Sequence, residues 1–435
     1  MREMKDSGIE WIGEIPCDWK LERSQWHLEE VNISNNPVQT NNVLSLTNKL
    51  GVVPYEEKGN QGNKSKENVY EYKLAYPNTI VANSMNILIG SVGLCDYFGC
   101  VSPVYYVFRA KKYNNIKFLN YVFQTVGFQR ELRKYANGIL EIRLRVSSSD
   151  ILKRFIPFPS EIEQQRIAEF LDRECGKIDG LKADIQAQID TLEQYKRSVI
   201  TEVVTHGLNP SAPMKDSRIS WVGDIPQNWK IKRLKYLFKF CKGLPITKDN
   251  LIDQGLPVIS YGQIHAKTNN GVNVRPHLLR FVDFSYQTFY PLSQVMRGDF
   301  VFADTSEDYE GCGNCVYKRN DSLLFAGYHT IIAHSIVESD NRFFAYLFLT
   351  DIWRKQIREK VSGVKVFSIT QKTLSNTYLI LPPLEEQQEI ADYLDNKCAE
   401  IEQIIADKKS QIETLDGYKK SLIFEYVTGK KEIAL

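Results

Sequence analysis

An internal duplication constrains the fold of this chain more than any other feature. Residues 5–26 and 215–236 are identical at 11 of 22 positions without a gap, at an offset of 210. A second repeat relates residues 163–205 to residues 386–428, with 22 of 43 positions identical at an offset of 223. The chain therefore has the order A–B–A′–B′, and we expect two quasi-equivalent halves around a pseudo-twofold axis.

The two B repeats are predicted to be long helices. Ser160 opens an S-x-x-E capping box before the first, and Pro383 precedes the second. Gly207 and Gly429 predict where the two helices end. We expect a first helix over 161–205, roughly 65 Å long at about 1.5 Å per residue.

Each B repeat carries an apolar stripe with an 11-residue period, which stays nearly straight along a helix. A helix this long needs a partner for that stripe, so we expect the two helices to pair antiparallel in a coiled-coil-like manner. The alternative is that each helix packs only on its own domain. The residues expected to pack between the helices are Ile167, Leu171, Ile178, Ile185, Leu192, Ile390, Leu394, Ile401, Ile412 and Leu415.

Two variable blocks, residues 24–156 and 234–381, separate the repeats and show little obvious similarity to each other. Both contain short β-rich runs followed by an amphipathic helix. The expected fold class is α+β: two mixed α/β domains separated by two long antiparallel helices, with pseudo-twofold symmetry. The expected segments are a globular domain at 1–156, a helical region at 157–214, a second globular domain at 215–381 and a second helical region at 382–435.

Charge is segregated along the chain, although the whole chain carries only +2. Residues 24–156 carry a net charge of +6 and residues 234–381 carry +4, whereas the helical regions 157–214 and 382–435 carry −4 and −5. Because phosphates attract Lys and Arg, we expect nucleic acid to contact the globular blocks. Two related halves also suit double-stranded DNA, which has its own local twofold symmetry.

Polar and basic residues in the blocks are candidate DNA contacts, because Arg and Lys pair with guanine and Asn and Gln with adenine in the major groove. A solvated loop or an ordinary turn is the alternative at each position. The candidates in the first block are Lys49, Lys58, Asn60, Gln61, Asn63, Lys64, Ser65, Lys66, Asn83, Ser84, Asn86, Arg143 and Arg145. The candidates in the second block are Tyr261, Gln263, His265, Lys267, Asn269 and Arg275.

The sequence lacks the common catalytic motifs. It has no G-x-x-x-x-G-K-[ST] phosphate loop, no G-x-G-x-x-G turn and no Asn/Asp/Ser-Pro-Pro-aromatic methyltransferase motif. The acids Asp299, Asp304 and Glu307 lack a following Glu-x-Lys and are interpreted as surface or turn residues. Cys312 and Cys315 form a single CxxC, which is a weak zinc signal and fits a glycine-rich turn better.

We therefore expect no catalytic residues, no cofactor and no metal in this chain. No apolar run approaches the roughly 20 residues needed to cross a bilayer, and the first residues do not form a signal peptide. The expected location is the cytoplasm, without membrane association.

Taken together, the four repeated motifs resemble the specificity subunits of Type I restriction–modification systems. "KDSGIEWIGEIPCDW" and "KDSRISWVGDIPQNW" resemble the motif that opens each domain in that family. "PFPSEIEQQRIAEFLD" and "LPPLEEQQEIADYLD" resemble its two helical regions. The resemblance covers the full length. It implies two target-recognition domains that each read one half of an asymmetric bipartite DNA site, while the helices set the spacer.

The resemblance also implies partners. Two DNA adenine methyltransferase subunits using S-adenosylmethionine would dock on this subunit, and ATP-dependent motor–endonuclease subunits would join them. S-adenosylmethionine, ATP and Mg²⁺ are expected on those partners. Two alternatives remain open: a helical adaptor without sequence-specific DNA binding, and a stand-alone nuclease with a degenerate site near Asp299–Glu307.

Overall fold

A computed structural model describes most of the chain, which divides into two compact units. Unit 1 joins Met1–Gln186 to Lys408–Leu435, and unit 2 consists of Ala187–Asp407. The described residues are 2–47, 51–58, 68–111, 114–138, 144–219, 221–363 and 365–433.

Unit 1 contains short strands and three short helices before the first long helix. The strands are β1 (Met4–Asp6), β2 (Glu14–Pro16), β3 (Lys20–Arg23), β4 (Leu28–Glu30), β5 (Leu44–Thr47), β6 (Gly51–Pro54), β7 (Lys73–Ala75), β8 (Thr79–Asn83), β9 (Val92–Cys95), β10 (Gly99–Val101), β11 (Tyr105–Ala110) and β12 (Phe155–Phe158). The helices are α1 (Ile116–Gln124), α2 (Val126–Arg133) and α3 (Ser148–Leu152).

A four-stranded antiparallel sheet in the order β4-β11-β8-β9 forms the centre of unit 1. Every residue of β8 is buried, because apolar side chains cover both faces of the sheet. On one face Ile80 packs in the same cluster as Phe118 and Phe123 of α1. On the other face Val81 packs with Leu44 of β5.

The first long helix, α4 (Glu161–His206), has 46 residues and agrees with the predicted bounds to one residue. The Ser160 hydroxyl accepts the Glu163 amide at 3.4 Å, so the predicted cap is present. The Glu163 carboxylate, however, accepts hydrogen bonds from Trp19 and Arg2. Of the predicted capping box, the observed half is therefore the bond from the Glu163 amide to Ser160. Gly207 follows the helix with a φ of 79°, a left-handed conformation that favours glycine.

Unit 2 contains a corresponding set of elements. Its strands are β13 (Met214–Asp216), β14 (Asp224–Pro226), β15 (Lys230–Arg233), β16 (Phe238–Lys242), β17 (Leu256–Ile259), β18 (Arg280–Val282), β19 (Phe300–Ala303), β20 (Thr305–Ser306), β21 (Cys315–Tyr317), β22 (Phe325–Ala326), β23 (Thr330–Ser335), β24 (Phe367–Ser368) and β25 (Tyr378–Leu381). Its helices are α5 (Tyr261–Ile264), α6 (Ser285–Phe289), α7 (Asn341–Leu349), α8 (Asp351–Arg358) and α9 (Gln371–Ser375), and the second long helix is α10 (Leu384–Val427), with 44 residues.

The two variable blocks share a core that their sequences do not reveal. The central sheet of unit 2 has the order β16-β23-β19-β21, which matches that of unit 1, and all its pairs are antiparallel. In both units a helix pair follows the sheet. The second helix of each pair is capped by a threonine: the Thr125 hydroxyl accepts the Phe128 amide, and the Thr350 hydroxyl accepts the Trp353 amide, both at 3.3 Å.

Each globular part contacts the start of a long helix through equivalent hydrogen bonds. In unit 1 the buried Gln164 side chain accepts the Asn115 amide at 3.0 Å, and Gln387 accepts the Asp340 amide at the same distance in unit 2. Two tyrosines complete these contacts with aspartates about two turns further along the helices. Tyr121 donates to Asp172 at 2.8 Å, and Tyr346 donates to Asp395 at 2.6 Å.

Within each unit, a segment of α4 runs antiparallel to a segment of α10. In unit 1 the rings of Phe170 and Tyr426 lie 4.3 Å apart, and Lys182 pairs with Asp416. In unit 2, Lys196 pairs with Glu402, and Gly207 lies against Glu386. The predicted fold class is confirmed in these terms.

The residues predicted to pack between the helices differ in burial. In unit 1, Ile167, Leu171 and Ile178 are buried with Leu422 and Ile423, and Leu415 packs against the same cluster. In unit 2, Ile390 and Leu394 are buried with Ile200. Ile401 is buried, and Ile185, Leu192 and Ile412 are half-buried. The clusters also contain residues of the globular parts, so each stripe packs on a helix and on a domain at once.

Within the described ranges, no helix combines the length and the apolar character needed to span a bilayer.

Candidate nucleic-acid interface

Many of the first-block candidates lie outside the described residues: Lys49, Asn60, Gln61, Asn63, Lys64, Ser65, Lys66 and Arg143. Of the remaining candidates, Lys58 is only 6% exposed, and its ammonium lies 4.2 Å from the centre of the Tyr55 ring. Its ammonium therefore faces an aromatic ring of its own unit.

The Asn83–Asn86 segment forms the turn that follows β8. The Asn83 side chain accepts the amides of Met85 and Asn86 at 3.0 and 3.4 Å. Asn83 and Ser84 are buried, whereas Asn86 is exposed. The turn interpretation therefore applies to Asn83 and Ser84, and Asn86 presents its side chain to solvent. Arg145 is also exposed, and its backbone pairs with that of Asn137.

Three second-block candidates form hydrogen bonds within unit 2. Gln263 accepts the Ser260 amide at 3.1 Å as part of a capping box. His265 contacts the Thr305 carbonyl at 2.8 Å and Asn314 at 3.1 Å through its two ring nitrogens.

The third of these is Asn269. Its amide donates to the carbonyls of Ile264 and Cys315, and its oxygen accepts the Gly271 amide at 2.9 Å. These bonds join Gln263, His265 and Asn269 to residues 260–271 and to residues 305–315 of the same unit.

The other second-block candidates are more accessible. Lys267 is exposed. Tyr261 is half-buried, with its ring 5.5 Å from that of His329. Arg275 is half-buried and lies 3.8 Å from Glu402 of α10. Lys267 and part of Tyr261 are thus open to solvent, while Arg275 lies beside α10.

A groove in unit 2, about 540 Å³ in volume, was not predicted from the sequence. Lys242 at the end of β16 and Lys372 on α9 line it, together with Thr370, Gln371 and His329. His329 has a φ of 54° and lies 3.2 Å from Asp304, which also lines the groove. The left-handed backbone holds a 57% exposed imidazole at the groove, where it can donate or accept a hydrogen bond.

A basic segment leads into this groove. Residues 230–248, which include β15 and β16, contain seven Lys and Arg residues and no Asp or Glu. Lys232, Lys235, Lys239 and Lys242 are all exposed. Because β16 is an edge strand, lysines there also prevent edge-to-edge pairing. The basic segment is visible in the sequence as a long stretch without acidic residues. The net charge of the whole block did not reveal it.

The acids and cysteines singled out from the sequence have local partners. Asp299 lies 2.7 Å from His334 and also accepts the Met296 amide. Cys312 and Cys315 are buried, and burial raises the pKa of Cys315 to about 12, so its thiol stays protonated at neutral pH. Across the described part of the chain, no group of three or more His, Cys, Asp or Glu side chains could hold a metal ion.

A family model described as "Type I restriction modification DNA specificity domain" matches residues 226–414. Residues 226–414 therefore resemble a Type I DNA specificity domain. The matched region contains the basic segment from β15 onward, the groove, the central sheet of unit 2 and the greater part of α10.

Curated specificity subunits are similar to this chain over long stretches. The MjaVIII specificity subunit of Methanocaldococcus jannaschii is 25% identical over 283 residues, which span 63% of this chain and 61% of that protein. The EcoKI specificity subunit of Escherichia coli K12 is 21% identical over 333 residues, which span 74% and 67%. The chain thus matches less than two thirds of the length of the MjaVIII subunit.

A solved structure supports the same fold. A chain from a study of complex assembly and conformational transition of the type I R-M system covers 96% of this chain and 99% of its own length, with a TM-score of 0.69 and 13% identity. The resemblance to Type I specificity subunits that the motifs predicted is confirmed.

Proposed function

We propose that this chain is the DNA sequence-recognition subunit of a Type I restriction–modification complex, and that it neither cuts nor methylates DNA itself. The observation that carries the proposal is the match of residues 226–414 to the Type I DNA specificity domain model. The same sheet order and helix pair recur in unit 1, so the chain holds two domains of one kind.

The two domains would read different half-sites, because their surfaces differ. In unit 2 the basic segment 230–248 would lie along the phosphate backbone and position the domain. Side chains at the groove, such as Gln371 and His329, would then reach base edges. Unit 1 has no such segment at the corresponding residues 20–38, which carry two basic and three acidic residues.

The long helices would set the distance between the half-sites. Both helices contribute a segment to each unit, and 46 residues of helix extend about 69 Å. The acidic helical regions are poor surfaces for DNA, which leaves them for protein partners. We propose that two DNA adenine methyltransferase subunits dock there and that motor–endonuclease subunits join them. S-adenosylmethionine, ATP and Mg²⁺ would bind those partners, and the complex would act in the cytoplasm.

Mapping methylated adenines genome-wide, in cells with and without this chain, tests the proposal. The expected result is a bipartite methylated motif that disappears when the chain is deleted and returns when it is supplied again. A methylation pattern that does not change on deletion would contradict DNA recognition and would favour the adaptor alternative.

A matched pair of insertions tests the spacing separately. Four residues inserted both between 186 and 187 and between 407 and 408 add about one helical turn to each helix. The methylated motif should then keep its half-sites and gain about two base pairs of spacer, at 3.4 Å per step. Four residues inserted after Asn209, outside the helix, serve as the control and should leave the spacer unchanged. An unchanged spacer in the helix variant would refute the spacing role alone.

A further inference from the structure

In unit 1, the guanidinium of Arg2 lies where the first A repeat (residues 5–26) meets α4, a contact that we call the joint. The Trp19 indole donates to Glu163 at 2.9 Å. Arg2 bonds both Glu163 and Asp18, and its guanidinium carbon lies 5.8 Å from the centre of the Trp19 ring. The hydrogen bond to Glu163 raises the pKa of Arg2 above its ordinary value. The guanidinium therefore fixes the carboxylate that the indole needs as its acceptor.

In unit 2, the corresponding joint lacks this guanidinium. The offset of 210 places Ala212 where unit 1 has Arg2, and Asn228 where it has Asp18; the offset of 223 relates Glu163 to Glu386. Glu386 accepts a hydrogen bond from the side-chain amide of Asn228 at 3.2 Å.

The tryptophan at the unit 2 joint also differs from its counterpart in unit 1. Trp229, which corresponds to Trp19, is fully buried, and its indole N–H has no hydrogen-bond partner among the residues that the structure describes. Glu386 is nevertheless close to it: a Cβ on Gly207 would lie 3.0 Å from a Glu386 carboxylate oxygen and 3.3 Å from the Trp229 ring. An unpaired buried N–H is costly, and a carboxylate that could accept it lies nearby, with its other oxygen bonded by the Asn228 side chain.

An acidic groove opens beside this joint. It has a volume of about 710 Å³, and its lining includes Ala212, Asn228 and three carboxylates, Glu385, Glu386 and Glu389. In unit 1 the positions that correspond to these three glutamates are Ile162, Glu163 and Arg166. Acids are favoured at a helix N-terminus in general, but that preference explains neither the missing arginine nor the unpaired indole.

We propose that this groove in unit 2 binds the guanidinium of an arginine side chain presented by a partner protein, in the place that Arg2 takes in unit 1. The incoming guanidinium pairs with Glu386 and turns its carboxylate so that it accepts the Trp229 N–H. An arginine fits better than a lysine, because its planar fork of donors can bond a carboxylate in pairs and stack beside an indole. This inference does not depend on whether the chain reads DNA.

The test uses the full-length chain with ¹⁵N-labelled indoles and the peptide acetyl-Gly-Arg-Gly-amide. The Trp229 indole resonance, assigned with a Trp229→Phe variant, should shift saturably with peptide, whereas the Trp19 resonance should not move. Peptides with lysine or citrulline in place of arginine should bind at least about tenfold more weakly. Equal binding of the lysine peptide, or no saturable shift at several millimolar arginine peptide, would overturn the proposal.

Three variants sharpen the result. Ala212→Arg supplies the guanidinium from within the chain, so the Trp229 resonance should shift without peptide and peptide binding should disappear. Glu386→Gln should weaken binding at least about tenfold. Arg2→Ala should create a second site and double the stoichiometry. Circular dichroism of the long helices verifies that each variant is folded. Peptide binding of unchanged strength in folded Ala212→Arg would also contradict the proposal.

Discussion

In unit 1, the three acids in residues 20–38 all have nitrogen-bearing neighbours: Glu22 lies 2.7 Å from the His27 imidazole, Glu29 pairs with Arg109, and Glu30 pairs with Lys73 at 3.6 Å. In unit 2, the corresponding residues 230–248 have seven basic side chains and no acid.

The contacts that attach the two globular parts to the helices are nearly the same. The Gln164 and Gln387 acceptors, and the hydrogen bonds of Tyr121 and Tyr346, occupy equivalent places. The comparison shows where the duplicated halves diverge: these contacts between each domain and its helix are repeated, while the charge of residues 20–38 and 230–248 is not.

The largest expected effect is on stability, and it tests whether equivalent core positions stabilise the two units equally. Leu171 and Leu394 are equivalent and fully buried, one in each unit. Substitution of either by Ala should cost about 2–5 kcal/mol, because apolar burial decreases and a cavity is left behind. Amide hydrogen exchange followed by mass spectrometry should locate each destabilisation in its own unit. A cost well below this range in only one of the two would mean that the scaffold is not repeated energetically.

The next prediction exchanges the differing surfaces. Lys232→Glu with Lys239→Glu gives unit 2 the residues that unit 1 carries at Glu22 and Glu29. Affinity for cognate DNA should fall on the order of tenfold to a hundredfold, and the slope of log affinity against log salt should decrease by about 0.9 for each phosphate that the domain no longer neutralises. Binding measured by anisotropy across a salt series checks both. The reverse control, Glu22→Lys, should leave the slope unchanged or increase it. An unchanged slope in the double variant would mean that the basic segment does not contact DNA phosphates.

A smaller difference is expected between the two joint tryptophans. Trp19→Phe removes the hydrogen bond to Glu163, whereas Trp229→Phe removes an indole that has none. Trp19→Phe should therefore destabilise its unit by about 1 kcal/mol more than Trp229→Phe does. Urea unfolding monitored by hydrogen exchange in each unit provides the comparison. Equal destabilisation by the two substitutions would contradict the difference between the joints.

The smallest effect concerns pH. The hydrogen bond from Arg2 lowers the pKa of Asp18 below its ordinary value of 3.8. A lowered carboxyl pKa stabilises the folded state above the ordinary value, and this contribution disappears as the pH falls through the lowered value. Because Asp18 is 63% exposed, the contribution to stability is small.

The carboxyl ¹³C titration of Asp18 should show a midpoint below the ordinary pKa of 3.8, and Arg2→Ala should raise it. Asn228→Asp in unit 2 is the matched comparison, and it should titrate higher than Asp18 because Ala212 supplies no charge. If the titration midpoint of Asp18 were the same in the Arg2→Ala variant, Arg2 would not be the cause of the lowered pKa.

The helices could be predicted from the sequence because their signals are local and strong. A repeated apolar period, Ser160 and Gly207 place α4 to within one residue. The common core of the variable blocks could not be predicted, because a buried sheet accepts many apolar side chains. The strand Thr79–Asn83 and its counterpart Phe300–Ala303 share their place in the sheet and almost none of their residues.

The candidate site was harder to predict, since the same side-chain chemistry serves two purposes. Asn83, Gln263 and Asn269 have the amide groups that suit a base edge, but in this fold those groups bond the backbone of turns. Only the tertiary structure decides between the two uses. The groove at Lys242 and Lys372 brings together residues 130 positions apart, so no local pattern could have indicated it.

The division of α4 and α10 between the units also bears on how the protein is made. Unit 2 is contiguous, so all of its residues have been synthesised once Asp407 has been added. The core of unit 1 includes Leu422, Ile423 and Val427, which are synthesised after all of unit 2. The unit that begins to be translated first is therefore the one whose core is completed second, because its apolar surface is covered only after the second half of α10 has been made.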